Sequence, residues 1–235
     1  MKSRLKIAFV TLAVVAFLTM PLVAQIVDSK IVPRDSILFG KTYDEWAVAW
    51  NQWGVGMPVA NHPLFDNADC SVGQSGPVWF LGGKYCSLNN TNCGYTGVVR
   101  SCKVPAGKGL FITVLDTEVS TLETGVQGIP DLKRLAESYV SPTTASMEID
   151  GVSVPNLKTQ YRVQTDAFSF VIPSDNQFTA VGEGKFKAGR YFPGVDDGIY
   201  VLLKPLPRGP HTIHFQGYFP DFNFTLDITY HITVE

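Results

Sequence analysis

The sequence predicts a mainly β protein: a two-layer antiparallel β-sandwich, jelly-roll-like, with one N-terminal amphipathic helix and one short helix. Three observations carry this prediction. The C-terminal stretch alternates apolar and polar residues with a period of two. Short apolar runs elsewhere are punctuated by turn residues, from a pool of 21 Gly and 15 Pro. Only two segments space their apolar residues as a helix does.

The C-terminal hairpin is the clearest element. In 211–219, Ile213, Phe215, Gly217 and Phe219 share one face, and Thr212, His214, Gln216 and Tyr218 the other. In 224–234 the apolar set is Phe224, Leu226, Ile228, Tyr230, Ile232 and Val234, with Thr225, Asp227, Thr229, His231 and Thr233 opposite. The loop Pro220-Asp-Phe-Asn223 joins the strands. Placing Phe219 against Phe224 sets polar against polar and apolar against apolar, which fixes the register. One face is then buried and one wet.

The first helix begins at Thr42, where Thr42 and Glu45 form a capping box. Trp46, Trp50 and Trp53 follow on one face, and Gly54 stands where a terminating glycine is expected. Three indoles on one stripe read first as packing against a sheet and second as a sugar platform. The short helix runs from Pro130 to Tyr139, with Leu132, Leu135, Ala136 and Tyr139 on its apolar face. Strands are expected at Val78–Leu81, Val98–Val104, Leu110–Leu115, Ser146–Ile149, Thr159–Gln164, Ala167–Ile172 and Ile199–Lys204. Leu110–Leu115 is apolar on both faces, as a central strand is. Val104-Pro-Ala-Gly107 reads as a type I turn, and Asp150-Gly151 and Asp197-Gly198 as turn dipeptides.

The N-terminus points to export. Lys2, Arg4 and Lys6 precede an apolar run from Ile7 to about Met20, and Pro21-Leu-Val-Ala24 closes it. That is a signal peptide, residues 1–24, with an uncleaved anchor as the rival. Residues 25–41 are then an N-terminal extension, and 42–235 a single sandwich domain with no membrane span after cleavage. Secretion or a periplasmic location follows. Charged residues make up 17% of the chain and the net charge is −2, which gives no electrostatic case for nucleic acid or an anionic membrane.

Four cysteines, Cys70, Cys86, Cys93 and Cys102, read as two disulfides in an exported chain. A zinc site lacks its Cys-x-x-Cys pair. Three pairings are open, and nesting of Cys86–Cys93 inside Cys70–Cys102 is favoured, since Cys86–Cys93 would close a short polar tip.

Four blocks bear a resemblance. They are Tyr43-Asp-Glu-Trp-Ala-Val-Ala-Trp-Asn-Gln-Trp53, Gly73-Gln-Ser-Gly-Pro-Val-Trp-Phe-Leu81, Cys102-Lys-Val-Pro-Ala-Gly-Lys108 and Pro207-Arg-Gly-Pro-His-Thr-Ile-His-Phe215. Together the chain resembles a group of secreted bacterial β-sandwich proteins of unknown function. The resemblance implies export and a Cys70–Cys102 bridge, with Cys86 and Cys93 as a local addition. It brings no catalytic residues.

Candidate chemistry starts with Asp116 and Glu118. Two apart at the end of an apolar strand, they point to one face. Such a pair serves as acid and base on a glycosidic bond, or begins a Ca²⁺ site through hard oxygens. A solvated strand end is the plain alternative. The wet hairpin face comes second. His214, Gln216, Tyr218, Asp227, Thr229 and His231 offer mixed donors and acceptors to a glycan, and His214 an acid or base. A bare solvent face is the alternative there. His211 and His214 point to opposite faces, and His62 and His231 have no ligand spacing, so no metal centre is expected. Gly73-Gln-Ser75-Gly76 is not a nucleophile elbow. No phosphate loop or dinucleotide fingerprint occurs.

Two functions follow. One is non-catalytic binding of a glycan or cell-surface polymer, or a structural surface role. The other is a carbohydrate-active hydrolase or lyase using Asp116 and Glu118, with His214. No cofactor is expected, Ca²⁺ excepted. For the fold, Trp79→Ala is expected to cost ~3–5 kcal/mol as a buried-aromatic truncation. Chemical denaturation reads it, and a loss below ~1 kcal/mol would place Trp79 outside the core.

Overall fold

A computed structural model describes residues 30–85 and 95–235. The expected signal peptide and a Cys86–Cys93 bridge fall outside the described residues. The architecture is a β-sandwich of two five-stranded sheets. Strands are β1 (Val78–Leu81), β2 (Val98–Val104), β3 (Gly109–Ser120), β4 (Thr144–Ile149), β5 (Val152–Ser153), β6 (Arg162–Gln164), β7 (Phe168–Ile172), β8 (Gly189–Leu203), β9 (Gly209–Phe219) and β10 (Phe224–Val234). The first sheet runs β1-β3-β8-β6, with β7 also on β8, and the second β2-β10-β9-β4-β5. The chain crosses from β1 to β2 and back to β3, so β1 lies parallel to β3; β2 lies parallel to β10 in the other sheet. The remaining pairings are antiparallel.

The hairpin takes the expected register, Phe219 against Phe224 through Thr212 against His231. Ile213, Phe215, Ile228, Tyr230 and Ile232 are buried on its inner face. They meet Leu110, Ile112, Leu115, Ile199, Val201 and Leu203 from the first sheet, which share the inter-sheet face by register. Contact is close: a Cβ on Gly217 would sit 2.5 Å from Leu115 Cγ. The opposite face of the first sheet is covered too. Helix α1 (Tyr43–Val55) lies on it, with the Thr42–Glu45 capping box formed. Trp50 meets Tyr200 with ring centroids 6.4 Å apart, and Phe111 stacks on Tyr200 at 5.2 Å. The Tyr43 hydroxyl donates to Val32 O at 2.7 Å and accepts from Leu202 N–H at 3.0 Å. Trp46 and Trp50 are thus core residues of a helix–sheet layer.

The short helices are α2 (Thr121–Thr124), α3 (Ile129–Val140), α4 (Leu157–Tyr161) and α5 (Gln177–Val181). Helix α3 covers the far end of the inter-sheet face, where Leu132 and Ala136 cluster with Val119 and Val195.

Several local expectations change. Helix α1 runs through Gly54 and ends at Gly56, because the buried Gly54 packs under Tyr85 and its carbonyl meets His62 Nε2 at 2.9 Å. The first half of Thr159–Gln164 is helical: Leu157 and Tyr161, four apart, are both buried, and the strand begins only at Arg162. The turn after β2 closes one residue later, from Pro105 to Lys108, with Gly107 at φ +85. Asp150-Gly151 turns as expected between Ile149 and Val152. Asp197-Gly198 does not turn; it lies inside β8. The core also begins before residue 42: Ile31 is 2% exposed and bridges Leu203.

The bridge joins Cys70 to Cys102, with Cα atoms 5.8 Å apart. The block after it has a structural use. Gln74 bonds both polar groups of Phe80, its amide donating at 2.8 Å and its carbonyl accepting at 2.8 Å. The side chain serves the outer edge of β1 as a neighbouring strand would. Trp79 is 7% exposed, as its truncation cost requires.

One ion pair in the first sheet is deeply placed. Arg162 donates to both Asp197 oxygens, at 2.7 and 3.0 Å, and Asp197 is 2% exposed. Arg162→Met leaves that carboxylate without its cation and is expected to cost roughly 2–4 kcal/mol. Urea denaturation measures this, and a cost near zero would mean the pair is dispensable.

Candidate functional site

Beyond Ile112 the outer edge of β3 has no partner strand among the described residues. A cavity of about 580 Å³ wraps this free edge. Asp116 and Glu118 lie in it, together with Glu123 and Glu183. The strand runs on to Ser120, so the two acids sit within it rather than at its end.

The sequence places them there in two steps. A bulge between Thr113 and Leu115 leaves Val114 without an opposite residue, and the alternation resumes one position later. Thr113, Asp116 and Glu118 therefore share the face that carries Phe111 and helix α1. Opposite them, β8 presents Tyr200, Gly198, Asp196 and Gly194. The glycines make the room. A Cβ on Gly198 would lie 2.8 Å from Asp116 Cβ and 2.6 Å from the Tyr200 ring. A Cβ on Gly194 would lie 3.0 Å from Glu118 Oε1. Glycine, acid, glycine on one strand thus interlocks with two acids on the next.

The walls are aromatic. Trp50, Tyr85 and Phe178 stand on the α1 side of the edge, and Tyr139, Phe219 and Phe222 on the other. Tyr139 and Phe222 have ring centroids 5.1 Å apart. Arg100 fixes the approach to Tyr85, donating to Gly83 O at 2.7 Å and to the Tyr230 hydroxyl at 2.7 Å.

Among the described residues, four polar side chains here have buried oxygens without a hydrogen-bond partner: Thr113 Oγ1, Glu118 Oε1, Gln177 Oε1 and Asp196 Oδ1. Thr113, Glu118 and Gln177 line the cavity, and Thr113 and Gln177 are 2% and 7% exposed. Asp196 lies beneath, where the Tyr200 hydroxyl donates to its other oxygen. Glu123 accepts from the Ser120 amide and hydroxyl in a second capping box.

Burial governs the electrostatics. It pushes Asp116 up to about 7 and Glu183 up to about 7. It holds Glu118 well above the carboxylate range, with Glu123, Asp196 and Glu183 adding repulsion. Asp196 is raised by burial and then by Asp116. Lys84, the basic residue at the cavity, has its ammonium 2.7 Å from Asp66. Near neutral pH the cavity therefore holds protonated carboxyls as well as carboxylates.

Other candidates lie elsewhere. His214 is on the outer face of the second sheet, paired to Asp227 at 2.8 Å, since Ile213 and Phe215 beside it point inward. The sandwich separates it from Asp116 and Glu118, so it does not join them. Gln216 donates to Asp227 at 3.0 Å, and Tyr218 to Asn223 at 3.3 Å. Thr229 and His231 share that open face. His62 is fully buried beneath α1, whereas His231 is exposed, and His211 pairs with Asp150 at 2.9 Å. Among the described residues no group of three or more His, Cys, Asp or Glu is arranged to hold a metal ion. No described helix is long and apolar enough to cross a membrane.

The sequence reading missed Glu123, Glu183, Asp196, Thr113, Gln177 and Tyr85. Glu123 had a signal, the Ser120-x-x-Glu123 capping pattern. Asp196 was masked by the turn-like Asp197-Gly198. The others carry no local pattern.

No protein-family model and no curated protein matches the chain. Among solved structures it is similar to PbICP-C in complex with falcipain-2, at 12% identity, covering 64% of this chain and 99% of that one, with a TM-score of 0.25. It is similar to the cysteine protease inhibitor EhICP2 from Entamoeba histolytica at 12% identity, 66% and 97% coverage and a TM-score of 0.22. Amebosin gives 13% identity, 68% and 100% coverage and a TM-score of 0.21. At these scores the likeness reaches neither fold nor function.

The raised carboxyls make stability depend on pH. In the unfolded chain they titrate near ~4. Between ~4 and ~7 the folded state holds protons that the unfolded state releases, so their contribution falls as pH rises. His62, pushed down to about 4 by burial, acts oppositely and destabilises the fold as pH falls below ~6.5. Comparison with a variant separates the two. Asp116→Asn is expected to gain on the order of 2 kcal/mol over wild type at pH 8 and to lose that gain by pH 4. The same difference at both pH values would mean that Asp116 is not buried as an acid.

Proposed function

We propose that the protein is an exported, non-catalytic binding protein that takes a unit of a glycan or other cell-surface polymer into the cavity at the free edge of β3. The observation that carries this reading is the cavity itself. Aromatic walls stand beside carboxyl, amide and hydroxyl groups that lack partners. Ligand sites combine an apolar wall with a few convergent polar groups, and an unpaired buried polar group gains most when a ligand arrives. Secretion or a periplasmic location is supported by the basic and apolar N-terminus and by the disulfide.

A second reading has one observation in its favour. Glu118, raised well above the carboxylate range by burial, shares a face with Asp116, which burial raises to about 7. Two carboxyls on one face, of which one keeps its proton near neutral pH, are what acid–base cleavage of a glycosidic bond uses. In that reading Glu118 is the acid and Asp116 the base or nucleophile.

Retention on a panel of immobilised polysaccharides, with and without EDTA, tests the proposal. Retention is expected to survive EDTA and to fall at least tenfold in Gln177→Ala and Glu118→Gln. Loss in Asp227→Asn instead would move the site to the hairpin face, and no retention at all would overturn the polymer-binding reading. Reducing-end release that Glu118→Gln abolishes would decide for hydrolysis.

A further inference from the structure

We propose that this cavity selects an organic cation, a ligand bearing a protonated amino group on a carbon body, rather than a neutral sugar. The inference rests on reading the cavity as a ligand site and narrows what enters it. The shared chemistry is the ammonium, whether it comes from a free polyamine or from an amino sugar of a polymer.

Asp116 and Glu118 from β3, Glu123 from α2 and Glu183 after α5 all line the cavity, and Asp196 of β8 lies beneath. Among the described residues the cavity lining supplies no free counter-ion to them, because Lys84 is held by Asp66 at 2.7 Å. A second observation points to the same ligand without invoking charge. Gln177 is 7% exposed, and its Oε1 has no donor. Glu118 Oε1 also lacks one, and Thr113 Oγ1 accepts as readily as it donates. The vacant positions call for donors. An ammonium brings three donors and no acceptor, whereas each sugar hydroxyl brings acceptors that need partners of their own. The walls agree: Tyr85 and Tyr139, half-buried, and the exposed Phe222 offer ring surface to a cation or to its methylene stem.

The proton balance is simple. As the ammonium enters, a cavity carboxyl gives its proton to solvent, and the resulting carboxylate pairs with the ligand. Other titratable groups facing the site are Tyr85, Tyr95 and Tyr139 in its lining, Tyr200 beneath it and, in ring contact with Tyr85, His62. Burial raises Tyr85, Tyr95 and Tyr200 and keeps His62 neutral, so none of these four releases a proton near pH 7.

Isothermal titration of the disulfide-bonded chain with spermidine, glucosamine, maltotriose and tri-N-acetylchitotriose tests this. Spermidine or glucosamine is expected to bind, with affinity rising up to about 10-fold per pH unit for each proton released between pH 5 and 7, where both amines keep their protons. Which of the two binds tells the polyamine source from the amino sugar. Glu118→Gln and Asp116→Asn are expected to weaken binding at least 10-fold, and the exposed Asp35→Asn not at all. Circular dichroism checks that each variant is folded. Binding of maltotriose or the acetylated trimer without either amine would overturn the cation inference and leave the cavity reading standing. Amine binding indifferent to Asp116→Asn and Glu118→Gln would overturn the inference, and no binding by any probe would overturn both.

Discussion

The pairing of β3 with β8, buried on both faces, is the constraint on which the rest of the molecule depends. The hairpin of β9 and β10 covers one face, and helix α1 with its tryptophans covers the other. A strand pair enclosed in this way has no wet side on which to place a charge. Arg162 answers the charge of Asp197 in the pair itself. Among the described residues Asp116, Glu118 and Asp196 have no such cation, so burial raises all three above the ordinary carboxylate range. The cavity at the free edge of β3 is where this accumulated acidity meets solvent.

The geometry of that cavity comes from what is missing as much as from what is present. Gly194 and Gly198 lack side chains where Glu118 and Asp116 need volume. The bulge after Thr113 turns the two acids toward α1 rather than toward the hairpin. Without that shift they would sit between the sheets, where Gly217 leaves space only for Leu115. The order of sheet pairing matters equally. Because β1 is only four residues long, its pairing stops at Ile112 and leaves the rest of that edge free. Gln74 then satisfies the far edge of β1 with a side chain, so the sheet ends there.

Placement of the acids follows from these contacts, and so does the difference between the two candidate surfaces. On the outer hairpin face, His214, Gln216 and Asp227 bond one another in open solvent. Their groups are already satisfied, and water competes for each. In the cavity, Gln177, Thr113 and Glu118 hold polar atoms from which both protein and solvent are largely excluded. A ligand gains more by completing the second set than by replacing partners in the first.

What the sequence determined by itself was local. Period-two alternation over the hairpin set its faces and its register, because one misplaced residue would have exposed the whole apolar set. The capping box at Thr42 and the tryptophan spacing set α1, and the doubly apolar Leu110–Leu115 announced a strand covered on both sides. Tertiary structure decided the remainder. Asp197-Gly198 looks like a turn, yet it continues a strand, because Gly198 must admit Asp116 and Tyr200. Leu157 and Tyr161 form a helical turn, since both are buried while Thr159 between them is exposed, a period of four rather than two. The cavity gathers β3, α2, α5 and the segment before residue 86 at one strand edge. No short-range pattern encodes that meeting, since it depends on which edge remains unpaired once the two sheets have packed.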